Sequence, residues 1–230
     1  YIIRHAMEHS SEIQAIAFDM DGLLLNTEHL YDVVINDLLS TRGQSFTRET
    51  KLAMMGRGAQ PALKILKERH NLTDDWTSLA QEIESRLIRI LPDKLGLMPG
   101  VQILLDKIKQ CDRPAVVVTS SPRSFAVTAL RQVDILERFE FLVCGEDVER
   151  GKPAPDIYLK AAEKLGVPPH QILALEDSHT GSRAAVAAGF HTIAVPGEHS
   201  ADQDFSHVVF VAQRVDDPRI MAQLSASNTP

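Results

Sequence analysis

Cysteine is scarce in this chain. Cys111 and Cys144 are its only two, and they lack partner spacing for a metal site. That excludes a disulfide scaffold and fits a reducing compartment, so a cytoplasmic location is expected, with both thiols read as core or surface groups. Positive charge is also short: Lys plus Arg is 24 against 31 Asp plus Glu, a net −7. A chain of that balance lacks the electrostatic footprint of a nucleic-acid binder or of a protein held on anionic lipid. No run approaches the ~18–20 uninterrupted apolar residues of a membrane helix. Residues 1–11 carry Arg4, His5, Glu8 and His9 and no apolar signal core, so they read as neither a secretory peptide nor part of the fold. The start at Tyr1 instead of Met reads as a trimmed end. No internal repeat or low-complexity stretch occurs.

What is present is an ordinary globular composition: 230 residues, 44% hydrophobic and 24% charged. At ~100–200 residues per domain, that length allows one large domain or one domain carrying an insertion. It is also long enough to bury a core without disulfides or structural metal. Periodicity divides the chain. Residues 13–18 (IQAIAF) predict a buried strand, and the next residues, Asp19-Met20-Asp21-Gly22, predict a turn. Residues 28–90 show only helical spacing, through Leu30, Val34, Leu38, Leu63, Leu66, Leu79, Ile83 and Leu87, which predicts about four helices. From 101 onward, helices of about ten residues alternate with predicted strands at 115–118, 141–144, 172–175, 192–195 and 208–211. That alternation predicts an α/β fold with a doubly wound parallel sheet, into which a helical bundle is inserted after the first strand. In such sheets ligands bind beyond the carboxyl ends of the strands, so insertion and active site are expected to be neighbours.

Four polar motifs follow predicted strands or sit between them. Asp19 and Asp21 leave the first strand with Gly22 allowing a sharp turn; such a pair can hold a hard cation, attack as a nucleophile and move protons. Alone, the string could equally be an Asp-rich turn capping a strand. Thr119-Ser120-Ser121 offers hydroxyls and backbone N–H groups for an anion, although a plain helix cap is the commoner use. Lys152, between Gly151 and Pro153, can aim a point charge at a phosphate or carboxylate, while most loop lysines are merely solvated. Glu176-Asp177-Ser178 could supply metal-ligand oxygens or simply open a helix with acids. Together, in this order and at strand ends, they favour a functional site.

At these residues the chain resembles the haloacid dehalogenase superfamily of hydrolases. Phe18-Asp19-Met20-Asp21-Gly22-Leu23-Leu24 with Thr27-Glu28 looks like its first motif, Val118-Thr119-Ser120 like the second, Gly151-Lys152-Pro153 like the third and Leu175-Glu176-Asp177 like the fourth. The insertion after the first motif looks like the helical cap of the β-phosphoglucomutase-like branch. The resemblance implies a Rossmann-like core of residues 12–27 plus 96–226 and a cap of residues 28–95.

It further implies that Asp19 forms an aspartyl-phosphate and that Asp21 is the general acid and base. Thr119, Ser120 and Lys152 would grip the phosphoryl group. One Mg²⁺ would be held by Asp19, the Asp21 carbonyl and Asp177, with Glu176 acting directly or through water. An acid at Asp21 favours phosphate-ester over carbon–halogen chemistry. The partner implied is a small phosphorylated metabolite, with no nucleic acid and no membrane, for a monomer or weak dimer.

Specificity is expected in the cap. Met54-Met55-Gly56-Arg57-Gly58 lies between cap helices, and Gly56 and Arg57 are its candidate substrate-facing residues, against a plain interhelical turn. Residues 27–29 and 95–100 are expected as hinges. His29 reads as an exposed helix-start residue, and Trp76 as cap packing. The motif strings look most like the pseudouridine-, glycerol- and deoxysugar-phosphate phosphatase group. Asn26 stands where relatives commonly carry Asp. Two readings compete with a phosphomonoesterase: a sugar phosphomutase, lowered by Ala59 and Tyr31 at positions where the mutases carry Arg and His, and a non-catalytic phosphometabolite-binding protein, which would have lost Asp19, Asp21, Lys152 or Asp177.

Overall fold

The computed structural model describes residues 12–54 and 59–225. Six parallel strands form one sheet in the order β3-β2-β1-β4-β5-β6: β1 Ala15–Phe18, β2 Ala115–Val118, β3 Phe141–Val143, β4 Ile172–Glu176, β5 His191–Ala194 and β6 Phe210–Val211. The order reverses between β2 and β4, on either side of β1. That is a topological switch point, where the strand ends diverge and leave a crevice. The doubly wound α/β expectation holds. Three strands are shorter than predicted: β1 omits residues 13–14, β3 omits Cys144 and β6 omits residues 208–209, although the Val209 amide still donates to Thr192 of β5.

Side-chain alternation explains why the sheet is covered on both faces. Ile16 and Phe18 of β1, Ala115 and Val117 of β2, and Leu173 and Leu175 of β4 enter one apolar cluster. Their neighbours Ala15, Ala17, Val116, Val118, Ile172 and Ala174 enter the other. The second cluster is closed by α7 (Asp156–Leu165) and α8 (His179–Ala187), which contribute Ile157, Tyr158, Ala161, Ala184 and Ala185. The first is closed by α5 (Val101–Gln110), α6 (Arg123–Gln132) and α9 (Pro218–Ser225). Both cysteines are free, and Cys144 is buried at the end of β3.

Between β1 and α5 the described residues form four helices: α1 Thr27–Ser40, α2 Arg48–Met54, α3 Ala59–His70 and α4 Trp76–Lys94. Leu30, Val34, Leu38, Leu79, Ile83, Leu87 and Leu91 are buried among them, as their spacing predicts. Their apolar interior is continuous with the first cluster through α6, where Tyr31 meets Phe125 at 6.3 Å between ring centroids. Trp76 departs from expectation. It is 53% exposed at the first turn of α4, where Asp75 caps the helix by accepting from the Thr77 and Ser78 amides, so the indole faces out.

The two connections to these helices are tied to each other. Asn26 accepts from the Gly96 amide (2.8 Å), donates its side-chain amide to the Lys94 carbonyl (3.2 Å) and donates its backbone N–H to the Gly96 carbonyl (3.2 Å). Only a side chain with both a donor and an acceptor makes the two side-chain bonds, which accounts for Asn at this position over Asp. Asn26→Ala should lower stability by about 1–3 kcal/mol, two hydrogen bonds' worth, while Asn26→Asp retains the bond from Gly96 and loses less; thermal melts of the two variants check the ranking.

Candidate active site

The registers dictate the site. Phe18 aligns with Val117 of β2 and with Leu175 of β4, so the residues that follow leave the sheet side by side. The ladder runs on into the loops: the Asp19 amide donates to Leu175, Thr119 to Val143 and Val195 to Glu176. Asp19, Thr119, Glu176 and Asp177 therefore emerge at one edge, each at most 7% exposed.

Lys152 comes from the loop after β3 and joins them. Its Nζ donates to Asp19 Oδ1 at 2.6 Å, to Glu176 Oε1 at 2.5 Å and to the Val118 carbonyl at 3.0 Å. The peptide bond to Pro153 is cis. Burial works against the lysine's charge, but Asp19 and Glu176 more than restore it, and its pKa is raised. Tyr158 of α7 donates to the same Glu176 oxygen at 2.6 Å. Burial first, and then the Glu176 charge, push the phenol well above its ordinary range, so it stays a donor. Glu176 is wholly buried, with Ser178 Oγ 3.3 Å from its other oxygen. It braces the lysine as much as it faces any cation.

Asp21 is caged by hydroxyls. Its Oδ1 accepts from Thr27 at 2.7 Å, and its Oδ2 accepts from Thr119 at 3.0 Å and Ser121 at 2.8 Å. The Thr119 oxygen also accepts from the Ser121 amide at 3.0 Å, which directs its single proton at Asp21. Ser120 is exposed and lines the cavity in front of these groups.

Two glycines exist for clearance. Gly22 has φ +81°, and a Cβ there would fall on the Asp177 carboxylate; a Cβ at Gly181, in the first turn of α8, would fall on that of Glu176. The acids are thus packed directly against backbone.

The electrostatic consequence is a surplus of buried negative charge. One oxygen each from Asp19, Glu176 and Asp177 lie within 4.8 Å of one another. Asp19 is pushed well above the usual carboxylate range by burial, opposed by Lys152 and reinforced by Glu176 and Asp21. Asp177 is raised by burial and then by Asp19, Glu176 and Glu28. Four carboxylates share the edge of the sheet with one lysine. Oxygen-only donors with unbalanced charge are the chemistry of a hard divalent cation, and these residues fit one.

The cavity in front of this edge has a volume of about 290 Å³. Its opposite wall comes from the helical segment: Glu28, Tyr31, Asp32 and Ile35 of α1, Lys51 and Met54 of α2 and Ala62 of α3. Lys51 pairs with Asp32. Burial, then Asp21 and Asp32, raise Glu28 to about 7. Residues 55–58, including the predicted Gly56 and Arg57, lie outside the described residues, though Met54 and Ala62 on either side of them line the cavity. His29 is exposed, as expected.

The structure brings together Asp19, Asp21, Thr119, Ser120, Lys152, Glu176 and Asp177. The sequence reading had no role for Tyr158, Ser121 or Thr27 as supports, or for Glu28 as a cavity group. Thr27 and Glu28 at least belonged to the quoted first motif, whereas Tyr158 looked like any apolar position of α7.

The haloacid dehalogenase-like hydrolase family matches residues 16–195. Among individual proteins, a phosphorylated carbohydrates phosphatase of Thermotoga maritima is 32% identical over 79% of this chain and 84% of its own length. (DL)-glycerol-3-phosphatase 2 of Arabidopsis thaliana is 33% identical over 80% of each chain. The crystal structure of CbbY from Rhodobacter sphaeroides in complex with phosphate superposes with a TM-score of 0.82, at 27% identity, covering 92% of this chain and 99% of that one.

The raised carboxylates set a pH dependence for the metal-free protein. A raised folded-state pKa means stability that is complete below the unfolded value and lost as pH rises through the folded one; for Glu28 that window runs from 4.5 to about 7. In EDTA, the melting temperature should fall between pH 5 and pH 8. Glu28→Gln should remove at most about 3 kcal/mol of that loss, and an unchanged pH slope would contradict the assigned shift.

Proposed function

We infer, for a chain that belongs to the haloacid dehalogenase-like hydrolases and is a phosphoric monoester hydrolase, that it dephosphorylates a small sugar, polyol or nucleoside monophosphate through an aspartyl-phosphate on Asp19. The observation that carries this reading is the arrangement around Lys152: one buried ammonium shared by Asp19 and Glu176, beside an acid trio with surplus negative charge, at the floor of a small cavity.

Asp19 Oδ2 attacks phosphorus and the bond to the leaving oxygen breaks, while Asp21 supplies the proton that oxygen needs. In the second half, Asp21 takes a proton from water, which attacks the same phosphorus; the Asp19–phosphorus bond breaks and phosphate leaves. The Thr27, Thr119 and Ser121 hydroxyls keep Asp21 within reach and correctly turned. Lys152 restrains the Asp19 oxygen that does not attack and offsets charge, and the Ser120 amide, with the Thr119 hydroxyl on turning from Asp21, receives the phosphoryl oxygens. Asp19, Asp177 and the Asp21 carbonyl, with Glu176 behind them, would hold Mg²⁺, whose chemistry is to neutralise phosphoryl charge. Positioning and charge neutralisation are what phosphoryl transfer demands of a protein.

Residues 12–27 plus 96–226 serve as the catalytic core and residues 28–95 as a cap that reads the rest of the substrate. Glu28, Asp32 and Lys51 give that wall hydrogen-bonding groups of both kinds, suited to hydroxyls, and Gly56 and Arg57, which fall between α2 and α3 in the sequence, are proposed as further substrate-reading residues. The Thermotoga and Arabidopsis relatives carry carbohydrate and glycerol phosphate in their names, which supports a polyhydroxylated substrate.

A screen of sugar, polyol and nucleoside monophosphates with Mg²⁺ and with EDTA should yield free phosphate only with metal. An isomeric sugar phosphate as product would instead mean a mutase, and no turnover anywhere a binding protein. Asp19→Asn should lower kcat by at least about 10³-fold because the nucleophile is lost, while circular dichroism shows the chain still folded, since Glu176 continues to pair Lys152. Arg57→Ala should raise KM for the preferred substrate and leave kcat near its original value; an unaltered substrate ranking would remove Arg57 from the reading.

A further inference from the structure

A second cluster of ligating side chains lies outside the acidic edge. His179 opens α8, two residues beyond Asp177, while Asp204 and His207 lie in the loop between β5 and β6. One ligating atom of each lies within 4.8 Å of the others. The two imidazoles meet edge to face at 5.2 Å between centroids.

The hydrogen bonds around them decide which nitrogens carry protons. His179 Nδ1 lies 2.5 Å from the Asp204 carbonyl oxygen, which can only accept, so Nδ1 holds the proton and Nε2 keeps its lone pair. His207 Nε2 lies 3.0 Å from Ser182 Oγ. That hydroxyl already donates, toward the Ser178 carbonyl at 2.7 Å and the His179 carbonyl at 3.1 Å. Ser182 therefore accepts from His207, and Nδ1 of His207 keeps its lone pair. Ser206 orients the Asp204 carboxylate, its amide donating to Oδ1 at 2.9 Å and its hydroxyl donating to the same carboxylate. Each ligand is thus held by an outer hydrogen bond, the arrangement that orients and sharpens first-row metal sites.

We propose that His179 Nε2, His207 Nδ1 and the Asp204 carboxylate form a site for a transition-metal dication of the Zn²⁺ type. Two imidazoles and one carboxylate match zinc, with a fourth position open to water because Asp204 is exposed and both histidines are only half-buried. Bonds of about 2.0–2.2 Å place tetrahedral ligands about 3.4 Å from one another, so the three residues would draw together from a spacing of up to 4.8 Å between ligating atoms. Imidazole nitrogen separates this site from the acidic one, which as an all-oxygen set suits Mg²⁺. Occupation would join α8 to the β5–β6 loop. That loop already leans on the helix through Gln203 Oε1, which accepts the His179 amide at 2.7 Å, and through Gln203, Ser200 and His199 it forms one wall of the cavity.

The test is titration of the full chain with ZnCl₂ in saturating Mg²⁺, followed by calorimetry, by thermal melts and by long-range imidazole ¹H–¹⁵N spectra. One equivalent of zinc should bind, raise the melting temperature and shift His179 Nε2 and His207 Nδ1. Binding should weaken at least tenfold in both Asp204→Asn, an exposed substitution that leaves the fold intact, and His207→Gln. The proposal is overturned if no zinc binds beside Mg²⁺, if the imidazole nitrogens do not respond in the native protein, or if Asp204→Asn binds zinc like wild type. It is equally overturned if zinc binding disappears in Asp177→Asn and survives in Asp204→Asn, which would place the ion at the acidic edge.

Discussion

The buried ammonium of Lys152 is the constraint around which the functional edge is arranged. Among the described residues it is the one cation that touches both Asp19 and Glu176, and it also donates to the Val118 carbonyl at the end of β2. Removing one partner of such a buried set leaves an uncompensated charge, which costs about 3–5 kcal/mol. Its neighbours are therefore specified tightly. Tyr158 shares the Glu176 oxygen, its ring lies 5.1 Å from the lysine Nζ, and glycine at 181 lets α8 begin directly against the carboxylate.

One lysine does not balance four acids. The unbalanced remainder is expressed in the raised pKa values of Asp19 and Asp177, both driven first by burial. Burying these acids together is unfavourable by itself, and a divalent cation is the kind of charge that would offset it. Asp21 stands apart from that group. Three hydroxyls from α1 and the turn after β2 fix it, so its orientation depends on the start of the helical segment as well as on the sheet. Asn26 ties that helical start to the return connection at Lys94 and Gly96. Entry to the helical segment, exit from it and orientation of Asp21 are consequently one mechanical unit.

The central strands and the four motifs were legible in the sequence because they are local. An apolar run followed by acid and glycine carries its own strand-and-turn signal, and α5, ten residues long from Val101, has the length predicted for the helices from 101 onward. Ends were less legible: Ile13 and Val208 belong to apolar runs, yet no strand pairs with them. Trp76 misled because apolar character does not say which side of a helix faces the protein; the cap at Asp75 orients the first turn of α4 outward. Tyr158, Ser121 and Asn26 could not be assigned, since each acquires its role from a partner on another element. The His179, Asp204 and His207 cluster was invisible for the same reason, its first two members being 25 positions apart.

The sequence by itself determined a parallel α/β sheet, a helical insertion after its first strand, and the identity of the groups at the strand ends, because strand period, turn chemistry and charge are written in consecutive residues. Tertiary structure alone decided the rest. Register between β1, β2 and β4 sets Asp19 beside Thr119 and Glu176. The loop after β3 carries Lys152 into their midst, and α1 turns Glu28 and Tyr31 toward the same cavity. The physical reason is that strength of interaction depends on burial and on distances of a few ångströms. Neither exists until separate segments pack together, so a carboxylate that is ordinary in the chain becomes strained, paired or raised in pKa only in the fold.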